Sequence, residues 1–237
     1  MNKRETESHI VKHIDHFMVE NGFKHKKSEK TQIEYYRKFD KNNFERFSLS
    51  TLNYYDEHKL RFGFGKRLNV VEELVSKVNE HVPLKNPSLS KDDTTFGFGY
   101  NSYNKINKDG CFEYMRTEED VIKNVKLIID FSEKEAFPFL EKLGDLREVD
   151  RLINGEEENW WETDWKKPFH LGYFYLRRMI IAKLSGRNDF DNLVDKVYRT
   201  IENESAKNGY PFEYDRNDLT KKIPATVHIL KDVESLY

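Results

Sequence analysis

The sequence predicts an α+β fold: an antiparallel or mixed sheet with covering helices, followed by an all-helical C-terminal portion. Three patterns lead there. Phe-Gly-Phe-Gly occurs twice, at Phe62–Gly65 and Phe96–Gly99, and strict alternation of a large apolar residue with glycine is a strand signal. Apolar residues recur at helical spacing before and after each copy. From Asp145 onward no convincing strand pattern remains, and the expected division is an α+β domain over 1–144 and a helical portion over 145–237.

The elements follow in order. Glu7 to Glu20 reads as an amphipathic helix with Ile10, Val11, Ile14, Phe17 and Met18 on one face. Asn21-Gly22 ends it, because glycine tolerates the left-handed cap. Strands are expected over Gln32–Phe39, Phe44–Asn53 and Lys59–Gly65, joined by polar gaps of hairpin length. The alternation falters around Phe47, where a bulge would correct it. Asn69 is placed as the cap of a helix over Val70–Val82, which Pro83 ends. The second Phe-Gly-Phe-Gly strand covers Thr94–Tyr100, with Cys111–Arg116 as its return strand. If the two glycine-alternating strands pair directly, the helix between them could be a parallel crossover.

Thr117-Glu118-Glu119-Asp120 resembles a capping signal for a helix through Val121, Val125, Ile128 and Ile129. Pro138 kinks or restarts that helix and Gly144 closes it. Later helices fit Asp145–Ile153, Phe169–Leu184, Phe190–Lys207 and Pro224–Ser235. The second and third of these form a helical hairpin.

Composition bounds the function. Hydrophobic residues are 37% and charged residues 35%, but aromatics reach 14%, which argues for an ordered chain with a Phe- and Tyr-rich core. Net charge is −2, so no global field favours nucleic acid or membrane. The single Cys111 excludes an intrachain disulfide and a multi-cysteine metal site. No signal-peptide core opens the chain, and its longest clearly apolar run, Met179–Ala182, cannot span a bilayer. The expectation is a cytoplasmic protein of bacterial type without a membrane partner or cofactor.

Several constellations invite chemistry. His9, His13 and His16 stand at i, i+4 and i+7, one narrow stripe on a helix. Histidines at i and i+4 can share a zinc ion, yet Ile10 occupies the place of a metalloprotease glutamate and no fourth ligand is evident. The plainer reading is a solvated helix edge. Gly63-Phe64-Gly65-Lys66-Arg67 sits between a strand and a helix, as phosphate loops do, but lacks both the dinucleotide and the Walker patterns. Close packing explains its glycines as well. Lys24, Lys26, Lys27, Lys30, Arg37 and Lys38 alternate with Tyr35, Tyr36 and Phe39, a single-strand nucleic-acid pattern diluted by Glu29, Glu34, Asp40 and Glu45. Glu118 with Glu119, or Glu156 with Glu157, could act as acid and base only in a pocket that shifts a pKa. Cys111 has no matching histidine signature.

The segment 156–168 is the expected connection between the two portions. It contains Trp160, Trp161 and Trp165, all the tryptophans of the chain, within an acidic run. Tryptophan anchors binding hot spots, and an acidic rim would steer a basic partner. The alternative is an interdomain clamp that buries the rings. With no catalytic signature elsewhere, the leading expectation is a non-enzymatic protein that binds another protein through these rings. The runner-up is a metal-binding protein or an enzyme using the histidine stripe.

Gly22-Phe23-Lys24 after an N-terminal helix, Tyr36-Arg37-Lys38 on a strand, and further strands ending near Arg61–Gly65 resemble a bacterial family catalogued as a domain of unknown function. The resemblance covers about the first third of the chain. It implies an α+β module and carries over no catalytic residue. The polar, aromatic-rich character is also similar to toxin-neutralising immunity proteins, which act by binding.

Overall fold

The computed structural model describes residues 1–26, 32–40, 42–54, 57–82, 94–99, 114–155, 174–206 and 216–237. They form the expected α+β fold, with a five-stranded sheet in the N-terminal part and a mostly helical C-terminal region. Two compact units divide them. One takes the described residues up to Arg67 and those of Phe96–Lys142. The other takes those of Leu68–Thr95 and those from Leu143 onward.

The first unit begins with α1 (Lys3–Glu20), four residues earlier than its apolar periodicity suggests. Asn2 and Glu5 make a reciprocal capping box that stabilises this extra turn. At the other end Gly22 has φ 81°. Gly22 N–H donates to Val19 O and Phe23 N–H to Met18 O. That pair of bonds is a Schellman cap, and the left-handed conformation it demands is why glycine stands there.

The sheet runs β1 (Lys24–Lys26), β2 (Gln32–Lys38), β3 (Phe44–Tyr54), β4 (Glu57–Arg67) and β5 (Phe96–Gly99). Neighbours in sequence are neighbours in space and every pair is antiparallel. The two glycine-alternating strands do pair, Gly63 opposite Gly99 and Gly65 opposite Gly97. Their antiparallel sense rules out the parallel crossover. No bulge occurs at Phe47 either: Tyr35, Phe47 and Phe64 lie in continuous register across three strands. Phe44 is an odd number of residues from Phe47, so it belongs to the opposite face, where its ring meets Tyr36.

The other face is the core of this unit. Tyr35, Phe47, Leu49, Leu60, Phe62 and Phe64 are buried on it. Ile10, Ile14, Phe17 and Met18 of α1 are buried as well. So are Val121, Val125, Ile128 and Phe131 of α3 (Glu118–Phe131), which packs against α1. Phe131 meets both Phe62 and Phe64.

Thr117 caps α3, with Asp120 completing the box in place of the usual Glu or Gln. A π-helical turn (Ser132–Ala136) then leads into α4 (Phe137–Lys142). Pro138 has no N–H to return to the preceding turn, and the widened turn just ahead of it accommodates that loss.

The second unit contains α2 (Asn69–His81), α5 (Leu146–Asn154), α6 (Phe174–Leu184), α7 (Phe190–Ala206) and α8 (Arg216–Leu230). Leu68, not Asn69, occupies the N-cap of α2, and it makes no side-chain cap bond. Asp145 caps α5 as its position implies. The α6–α7 hairpin turns at Gly186, whose φ is 75°. Its Schellman bonds run from Gly186 N–H to Lys183 O and from Arg187 N–H to Ala182 O.

The last helix differs from expectation. Pro224 lies inside α8 and does not start it. A proline is a good first-turn residue, which is why the sequence suggests a start there. The helix instead gains buried contacts on both sides of it, at Lys222, Ile223 and Thr226. Of the expected return strand after the second Phe-Gly-Phe-Gly, residues 111–113 lie outside the described residues; Met115 makes a single antiparallel bridge, to His58 of β4. Among the described residues no helix is long and apolar enough to cross a membrane.

Candidate metal centre

The N-terminal histidines are placed by the same periodicity that buries α1. Ile10 and Ile14 point into the core. His9 and His13, each one position earlier, therefore lie together along the border of the buried stripe. Packing of α1 on α3 brings the first turn of α3 to that border. Glu118, the first residue of α3, projects there, at a helix N-terminus that favours a carboxylate.

The result is a convergence on one oxygen. His13 Nε2 is 2.9 Å from Glu118 Oε1, Lys12 Nζ is 2.8 Å from it, and His9 Nδ1 is 3.0 Å from it. His9 Nδ1 makes no hydrogen bond, so this buried nitrogen faces the carboxylate without a bond to it. One ligand atom from each of His9, His13 and Glu118 lies within 4.8 Å of the other two. The Lys12 ammonium, followed by the His13 bond, lowers the Glu118 pKa to about 2. Glu118 is thus a ready anion.

Two imidazoles and one carboxylate form a recognised donor set for zinc and for other ions that favour nitrogen. Metal bonds of about 2.0–2.1 Å in a tetrahedron need ligand atoms about 3.3 Å apart. The separations to Glu118 are a few tenths shorter, and the two nitrogens, within 4.8 Å of each other, would close towards that value as the half-exposed Glu118 side chain retreats. The residues present fit such an ion, with at least one coordination position left to solvent.

His16 stands apart from this group. It is 85% exposed, and its Nε2 is 3.2 Å from Glu20 on the same helix. Glu118 was legible in the sequence as part of a capping signal and as half of a carboxylate pair with Glu119, not as a partner of the histidines. It lies 105 residues from His13, and no local pattern joins them.

The other candidates resolve differently. Gly63 and Gly65 are mid-strand residues of β4, in a ladder with Gly99 and Gly97, not in a loop at a helix N-terminus. Lys66 is buried: its ammonium donates to Leu140 O at 2.7 Å and lies 3.3 Å from Glu45. Desolvation lowers its pKa, against the pull of Glu45. Arg37 also holds Glu45, through Nε at 2.8 Å and Nη2 at 2.6 Å. Tyr35 and Tyr36 are buried, so neither offers a free stacking face to a nucleic-acid base. Lys26 lies over the Tyr36 ring. Lys27, Lys30, Cys111, Glu156 and Glu157 lie outside the described residues, as do Trp160, Trp161 and Trp165.

Comparison of the chain with protein-family models, curated proteins and solved structures finds no match.

Proposed function

We propose that the protein binds a divalent transition-metal ion of the zinc class through His9, His13 and Glu118. One observation supports this above the rest: a carboxylate from a distant helix reaches two histidines at i, i+4 spacing, so that three ligand atoms share one small volume. Imidazole nitrogens favour zinc, nickel and copper over calcium and magnesium, which prefer all-oxygen shells. The single cysteine supports a reducing, cytoplasmic setting, in which metal ligation would fall to histidine and carboxylate.

Titration of the metal-stripped protein with zinc tests the reading. One equivalent should bind to wild type. His13→Ala and Glu118→Gln should each weaken that binding by more than about tenfold, since even changes behind the ligands act on that scale. His16→Ala should leave it unchanged. Equal binding by wild type and His13→Ala would refute the site. Recognition of another protein, including toxin neutralisation, still rests on the composition around Trp160, Trp161 and Trp165.

A further inference from the structure

The Glu118 carboxylate already holds a cation. Lys12 Nζ is 2.8 Å from Oε1, the same oxygen that faces His13 Nε2 at 2.9 Å and His9 Nδ1 at 3.0 Å. We propose that Lys12 is a built-in competitor at this site: its ammonium occupies the cation position and gives it up when a metal ion arrives. The proposal rests on the metal reading of the same three ligands.

The chemistry distinguishes the two occupants. An ammonium has only donors and therefore satisfies the carboxylate alone. It leaves the facing imidazole nitrogens without a metal: His13 Nε2 meets an anion at 2.9 Å and so carries its proton there, which must leave to solvent or pass to Nδ1 before that nitrogen can bind a metal. A zinc-class ion bonds to the carboxylate and to both nitrogens, so it gains what the ammonium cannot. Release of Lys12 costs little, because its side chain is 63% exposed and exposed ion pairs are weak. A long flexible stem lets the ammonium swing into water. Charge favours this exit too. With the ammonium in place, the Lys12–Glu118 pair is neutral when both imidazoles are unprotonated. With a divalent ion in place, the metal and Glu118 carry a net positive charge that repels Lys12. Lys12 therefore sets the free-metal concentration at which the site fills.

Zinc titrations of wild type, Lys12→Met and Lys12→Arg test this. Removal of the competitor should tighten zinc binding by roughly three- to tenfold, the scale of losing an exposed ion pair together with a like-charge repulsion. Lys12→Arg keeps a cation there and should stay near wild type. The gap between wild type and Lys12→Met should narrow from about 0.01 M to about 1 M salt, because screening weakens exposed pairs. Unchanged or weaker binding by Lys12→Met, with wild type still taking one equivalent, would overturn the competitor and leave the metal site standing. Absence of zinc binding in wild type and Lys12→Met alike would overturn both.

Discussion

Asp145 shows how one carboxylate ties local sequence to stability. Its Oδ1 accepts the Arg147 N–H at 2.9 Å and caps α5. That bond lowers its pKa below the usual 3.8, and the Tyr237 hydroxyl assists. A carboxylate with a depressed folded pKa stabilises fully above its unfolded value. Its contribution is lost as pH falls through the folded value. Asp145→Asn keeps an acceptor but removes the charge. Urea unfolding should show wild type more stable than the variant near about pH 6, with the gap closing towards about pH 2. A gap independent of pH would mean that the charge contributes nothing. Histidine stripes are less legible at this scale. His9, His13 and His16 look equivalent in the sequence, yet only the first two face Glu118.

Elements are joined by buried charge as well as by apolar contact. Glu45 on β3 is fully buried between Arg37 of β2 and Lys66 of β4. Arg37 Nη1 also donates to Asn21 O at the end of α1, and Lys66 to Leu140 O in α4. The Arg37 guanidinium lies over the Phe23 and Phe137 rings. Five elements thus depend on one anion. Glu45→Ala leaves two cations without it, and breaking a buried pair in this way costs about 3–5 kcal/mol. Chemical denaturation should show that loss; a change under about 1 kcal/mol would mean that water reaches the cluster and compensates. In the second unit Arg177 of α6 makes a bidentate bond to Glu72 of α2, with both side chains buried. Neither cluster has a sequence signature, because each partner is a single ordinary charged residue whose counterion lies on another element.

For the whole molecule, the proposed metal binding would be linked to folding. A ligand bound only by the native state stabilises it by about 2.7 kcal/mol at a hundredfold its Kd. Zinc at that excess should raise the thermal midpoint of wild type by several degrees. His13→Ala should show no such rise, and neither should wild type with chelator present. A rise of the same size in His13→Ala would place the ion elsewhere. The effect belongs to the unit containing α1 and α3, both on one side of the division at Arg67 and Lys142. The other unit gathers α2 with α6 and α8. Nothing in the sequence of α2 marks that grouping, since an apolar face at helical spacing fits a sheet or a helix bundle equally.

By itself, the sequence determined the α+β class, the meander of three long strands, Phe62–Gly65 and Phe96–Gly99 as strands, and the glycine cap at Gly22. These depend on residues within a turn or a strand of one another, so periodicity and backbone preference suffice. Tertiary structure alone decided the antiparallel sense of the fifth strand, the proline inside α8 and the meeting of His9 and His13 with Glu118. Those outcomes turn on contacts between residues far apart in the chain. Their energy comes from burial and charge pairing in three dimensions, which no local pattern encodes.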